Sequence, residues 1–199
     1  MKLMGLAVLA LVTVLVPAGN ELRVSPALAA HGLQTAPGCR NTQLTIRYQS
    51  SNGAAGHIAI IYRIHNLSAQ ACRLFGYPGV QLLDRQFLSL PTTVHRGAGS
   101  LVGPIAKQLV RVAAHGNAYF ALGYSDVPVM NQPCKTAYYL MVFAPNDVLP
   151  VVTYAFGHAG IIACTGNIFV SPVRDYVHAP GGILRGRLDP DTSRLPRVP

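Results

Sequence analysis

From residue 42 onward, apolar and polar positions alternate with a period of two. Leu44, Ile46 and Tyr48 are separated by Thr45 and Arg47, while Ile58, Ile60, Tyr62 and Ile64 share one face of a second run. His57, Arg63 and His65 fall on the opposite face of that run. Such alternation predicts half-buried strands. Ser51-Asn52-Gly53 lies between the two runs, and Asn-Gly predicts the hairpin turn there. In Phe75-Gly76-Tyr77-Pro78-Gly79, Pro78 presets one dihedral and Gly79 accepts a positive φ, which predicts a type II turn. Val80, Leu82 and Leu83 then read as a short strand ending at Asp84. Val110 and Val112 alternate with Lys107, Leu109 and Arg111, and Ala118, Phe120, Leu122 and Tyr124 alternate with Tyr119, Ala121 and Gly123. Residues 138–143 form a continuous apolar run, as expected of a central strand covered on both sides, and Pro145-Asn146-Asp147 ends it. Residues 151–156 and 161–170 supply the last two strands. About eight strands in about 130 residues, with frequent turn signals and no helical period, predict an all-β, immunoglobulin-like antiparallel β-sandwich.

The ends of the chain read differently. Lys2 precedes an apolar stretch from Leu3 to Val16 that Pro17 terminates. The stretch is shorter than the roughly 20 residues a membrane-spanning helix needs. Ala27-Leu28-Ala29 fits the small-x-small rule for signal cleavage. The expected organisation is a signal peptide over 1–29, a short leader over 30–38, the sandwich over 39–173 and a flexible Pro/Gly/Arg-rich tail over 174–199. The alternative for the N-terminus is an uncleaved anchor carrying a sensor domain. Cys39 lies far beyond the apolar stretch, so it does not read as a lipidation site.

Half of the residues are hydrophobic and only 12% are charged, which excludes an intrinsically disordered chain. Sixteen Lys and Arg against seven Asp and Glu give a formal charge of +9. Loss of residues 1–29 removes Lys2, Arg23 and Glu21 and leaves +8. A weak attraction to anionic surfaces follows. No dense Lys/Arg run indicates a nucleic-acid partner.

Four cysteines in an exported chain predict two disulfides. If the run near Thr42 and the run ending near His65 are antiparallel neighbours, Cys39 and Cys72 meet at one end of the sandwich. An up-down-up path through the last strands likewise brings Cys134 to Cys164. The expected bridges are Cys39–Cys72 and Cys134–Cys164, each stabilising by about 3–4 kcal/mol on the loop-entropy model.

Candidate chemistry is sparse. His57 and His65 are eight residues apart, about 26 Å along a strand, and cannot share one ion. His31, His95, His115, His158 and His178 lack ligand spacing, and no Cys is followed by the His and Met of a copper site. Neither Ser100 nor Ser125 sits in a Gly-x-Ser-x-Gly elbow. Asp84, Asp126 and Asp147 read as residues of strand ends and turns rather than paired catalytic carboxylates. Asn66-Leu67-Ser68 matches a glycosylation acceptor but reads as a loop. No catalytic residue, cofactor or metal is therefore expected. What remains is a basic sheet face of His57, Arg63 and His65, with Arg47 and Lys107 on other strands. Such a patch would hold anions more tightly below about pH 6.5, where His gains charge.

Several stretches resemble one family. They are Gly53-Ala54-Ala55-Gly56-His57 with residues 61–66, then Cys72-Arg73-Leu74-Phe75-Gly76-Tyr77-Pro78-Gly79-Val80. Further on come residues 118–122 with Asp126-Val127-Pro128, Cys134, Cys164-Thr165-Gly166 and Val170-Ser171-Pro172-Val173. Together they resemble the domain-of-unknown-function 4232 family, exported domains of actinobacteria and related soil bacteria. The likeness runs from Cys39 to Val173. It implies an exported domain, often lipid-modified or anchored, and assigns no activity. The expected function is a non-catalytic, monomeric binding module, secreted or envelope-associated, whose partner is an envelope component or a protein. The alternative is a hydrolase with a dispersed site.

Overall fold

A computed structural model describes residues 36–99, 102–130 and 134–176. The expected signal peptide, most of the leader and nearly all of the tail lie outside the described residues.

After a 3₁₀ turn at Asn41–Gln43, the described chain forms twelve strands and no α-helix. They are β1 (Leu44–Ala54), β2 (His57–Asn66), β3 (Cys72–Phe75), β4 (Gly79–Leu83), β5 (Thr93–Arg96) and β6 (Leu109–Val112), followed by β7 (Asn117–Ser125), β8 (Thr136–Ala137), β9 (Tyr139–Phe143), β10 (Pro150–Tyr154), β11 (Ile161–Ile162) and β12 (Asn167–Val170). A five-stranded sheet runs β1-β2-β7-β12-β5, and a three-stranded sheet runs β10-β9-β4. Two ribbons, β3-β6 and β8-β11, complete the frame. The all-β sandwich is as expected, but the strand count is twelve rather than about eight. The run at 161–170 splits into β11 and β12 around the turn at Cys164. The sandwich is not wholly antiparallel, because β12 pairs with β5 in parallel.

Register follows the inward faces. Leu44↔Asn66, Ile46↔Ile64 and Tyr48↔Tyr62 align the inward-facing sets of β1 and β2, and a bulge between Tyr48 and Ser50 then shifts the pairing by one. That register places the hairpin tip at Ala55-Gly56, three residues beyond the Asn-Gly signal, which pairs inside the strands instead. Ala55 (φ 50°) and Gly56 (φ 77°) both take the left-handed backbone such a two-residue turn requires. The inward set outranks local turn propensity, since a one-residue slip would turn every core residue outward. The expected type II turn is also corrected. The left-handed residue is Gly76 (φ 104°), not Gly79. Gly79 opens β4 opposite Phe143, where an added Cβ would sit 3.3 Å from that ring's Cβ.

Between the layers, Ile46, Ile60, Ile64, Leu122 and Ile168 of the larger sheet share one buried core with Val80, Leu82, Leu140 and Val142 of the smaller. Tyr62 stacks on Phe120 with ring centroids 5.1 Å apart. Its hydroxyl crosses the core and donates to the carbonyl of Ala155, just beyond β10, so the buried phenol is satisfied. Along the side, β1 lies against β10, and Tyr48 meets Phe156 at 5.4 Å.

Both disulfides form as expected. Cys39–Cys72 ties the segment before β1 to β3, with Cα atoms 4.9 Å apart. Cys134–Cys164 closes the β8-β11 ribbon at a Cα separation of 4.0 Å. Residues beyond the expected domain limits also join the frame. The Arg73 amide donates to the Pro37 carbonyl, and the Arg174 amide donates to the carbonyl of Tyr119 on β7.

Candidate functional site

Polar side chains that look reactive in isolation are engaged by the frame. Asn41 is buried, and its Nδ2 donates to the carbonyls of Val142 and Leu149 while its Oδ1 accepts from the Ala144 amide. The Asn41 amide donates to Asp147 Oδ2 at 2.6 Å. That amide, then those of Leu149 and Val148, hold the Asp147 carboxyl below the usual carboxylate range. Asp84 Oδ1 accepts from the amides of Gln86 and Leu88, so it organises a turn as its sequence position implied. Asn66 is fully buried. Its Nδ2 donates to the carbonyls of Gln70 and Ala113 and its Oδ1 accepts from the Ser68 amide and hydroxyl, so the amide of the acceptor-like triplet is a turn element. Burial pushes the Tyr62 phenol well up, and burial followed by the charge of Asp126 pushes Tyr124 up to about 12. Among the described residues no three His, Cys, Asp or Glu converge as a metal site would require.

The outer face of the five-stranded sheet is different. Arg47 on β1 lies directly opposite Arg63 on β2, Arg63 lies opposite Tyr119 on β7, and Tyr119 bridges to Arg174. Strands about 4.8 Å apart make this a lateral row about 15 Å long. All four side chains are half-buried. The next row carries Thr45, His65 and Asn117, with His65 Nδ1 2.9 Å from Asn117 Oδ1. On the other flank Ile61 pairs with Ala121 and Ala59 with Gly123, and all four are buried. Arg174 extends an Nη1 donor to the carbonyl of Ala106 at 2.9 Å.

The structure therefore joins Arg47, Arg63 and His65, but it separates His57 from them. His57 sits at the hairpin end of β2 opposite Ser125, about 20 Å along the strand from Arg63. Parity placed it on the correct face without registering that distance. Lys107 is not on a strand. It precedes β6 in the loop, and its Nζ lies over the Phe75 ring at 5.9 Å, on the β3-β6 ribbon. Tyr119 and Arg174 were missed as members of the row. Tyr119 was visible as an outward position of β7. Arg174 was not, because Pro172 interrupts the strand pattern just before it.

The outer face of the three-stranded sheet is almost the reverse. Its rows are Pro150–Phe143–Gly79, Val152–Met141–Gln81 and Tyr154–Tyr139–Leu83. None of these positions is charged. Phe87 stacks on Tyr139 at 4.2 Å, Tyr154 meets Tyr139 at 5.4 Å, and His158 meets Tyr154 at 4.7 Å. The 138–143 run is thus central in its sheet, as expected, but only one of its faces is covered by the other layer. The second face is roofed partly by its own rings, and Val152 and Tyr154 remain 45% and 38% exposed.

These features define an all-β sandwich domain with two disulfides, a bonding pattern of oxidising compartments. Residues 39–174 match the family described as Domain of unknown function (DUF4232), and the chain belongs to that family. No curated protein and no solved structure matches it. Among the described residues no helix is long and apolar enough to cross a membrane.

Proposed function

We propose that the domain is an exported, non-catalytic recognition module of the cell envelope or extracellular space, and that it works through the basic outer face of the five-stranded sheet. One observation carries this reading: the apposition of Arg47 and Arg63 in a row that continues to Arg174. Like charges directly opposite on a sheet destabilise it by a few tenths to about 1 kcal/mol. Local features that oppose stability are expected at functional sites, and an anionic partner would reverse the sign of this one. The candidate carboxylates Asp84 and Asp147, by contrast, are held by backbone amides, which favours recognition over hydrolysis.

Co-sedimentation of the oxidised protein with purified bacterial envelopes, across a salt series, tests the reading. Binding that persists in part at high salt and falls when Arg63 is replaced by Gln supports it. Absence of binding at low salt, or turnover of ester, glycoside or peptide substrates, refutes it. Intact-mass measurement of the native protein distinguishes a cleaved, exported chain from a sensor retained on residues 1–29.

A further inference from the structure

The recognition reading leaves the ligand open, and the geometry of the arginine row narrows it. We infer that the row Arg47–Arg63–Tyr119–Arg174 binds a linear phosphodiester polymer laid across the strands. This rests on the reading of the domain as a recognition module.

Guanidinium groups match phosphate oxygens with paired N–H donors. Arg47 and Arg63 are nearest cross-strand neighbours and can clamp one phosphate between them. Arg174 stands two strand spacings beyond Arg63, about 10 Å away, too far to share that phosphate. Its bond to the Ala106 carbonyl engages one donor and leaves others for a second phosphate. A row longer than one anion fits a repeating ligand. Between the two cationic points, Tyr119 offers a phenol, and Asn117 and His65 add polar groups along one flank.

Charge complementarity fixes the sign of the partner. The chain carries a formal +9, and no acid occupies the row. The neighbouring carboxylate, Asp175, accepts from Gln108 Nε2 and from the Tyr176 amide, on the β6 side. A lipid surface fits less well, because membrane-seated faces pair cations with exposed apolar anchors. Here the apolar neighbours Ile61 and Ala121 are only 4% and 5% exposed.

The test is titration of the oxidised protein with purified poly(glycerol phosphate), followed by calorimetry at two salt concentrations. Inorganic phosphate and phosphatidylglycerol vesicles serve as separate arms. Arg47→Gln, Arg63→Gln and Arg174→Gln are each expected to weaken polymer binding by fivefold or more. Each should also flatten the dependence of log K on log salt by about 0.7 per lost contact. Arg63→Lys, which keeps the charge but loses the fork, should fall between wild type and Arg63→Gln. Arg85→Gln removes a cation that lies over the Tyr138 ring, away from the row, and should leave affinity within twofold. Equal losses for Arg85→Gln and Arg63→Gln would overturn the site in favour of bulk charge. Competition by inorganic phosphate at equal phosphorus would reduce it to a single-anion site, and binding to vesicles but not polymer would assign the face to lipid. A protein that ignores the polymer yet sediments with envelopes sinks this inference alone. One that does neither sinks the recognition reading as well.

Discussion

The two outer faces of the sandwich use their side chains in opposite ways. On the three-stranded sheet, Phe87, Tyr139, Tyr154 and His158 pack ring against ring, so much of their potential for contact is spent within the molecule. On the five-stranded sheet, Arg47 and Arg63 face each other across neighbouring strands, an arrangement that gains nothing internally. A surface can thus be judged by whether its side chains satisfy one another. The aromatic face contributes to the fold's stability, whereas the apposed arginines of the row find no opposite charge among their cross-strand neighbours.

The largest effect is expected from Tyr139→Ala. Tyr139 is the ring on which both Phe87 and Tyr154 rest, and its removal should lower stability by about 2–4 kcal/mol, read as a drop in the urea midpoint. A change under about 0.5 kcal/mol would show that the rings merely lie beside one another. Next comes Asn41→Ala, at the seam where the turn before β1 meets the β9–β10 loop. It removes the Nδ2 bonds to the Val142 and Leu149 carbonyls and takes the Oδ1 acceptor from the Ala144 amide, and should cost about 1–3 kcal/mol in the same assay while leaving anion binding unchanged.

A smaller effect concerns acid. Asp147 titrates below its ordinary range when folded, so its contribution is present above the unfolded carboxylate pKa and is lost as pH falls through the depressed folded value. Urea midpoints should therefore decline on the acid side, and Asp147→Asn should flatten that decline. A wild-type slope retained in the variant would assign the acid sensitivity to other carboxylates. The smallest effect carries the opposite sign. Arg63→Thr relieves the repulsion with Arg47 on a β-favouring residue and should raise stability by up to about 0.5 kcal/mol at low salt, with the gain shrinking as salt is added. A loss of stability instead would mean that the Arg63 stem packs usefully over its neighbours.

How far the chain could be read in advance depended on what a given stretch of pattern encodes. β1, β2 and β7 were legible because each separates an apolar inner set from a polar or small outer one. β3 and β8 are too short to display a period, and β5 buries only Val94 in part, so its sequence shows no inner face. The parallel pairing of β5 with β12 depends on partners far apart in the chain, which no local window contains. For the candidate site, parity put Arg47, Arg63 and His65 on one face correctly. Distance along the strand removed His57, and a loop claimed Lys107. Arg174 belonged to the row only through a bridge to Tyr119 that three-dimensional register creates. The aromatic face was hidden for another reason: an unbroken apolar run looks the same whether a second layer covers it or its own neighbours do.

That parallel pairing also imposes an order of assembly. The β1–β2 hairpin and the Cys39–Cys72 crosslink draw only on residues 39–72, and both can form before the rest of the domain has folded. β5, at residues 93–96, cannot find its ladder until residues 167–170 have arrived, and closing so long a loop is slow. Until then the larger sheet has an open margin at β7, exposed to pairing with other chains. The molecule's most vulnerable interval is thus the wait for its last strand, and oxidation of Cys134 to Cys164, which lies just ahead of β12, shortens the search that ends it.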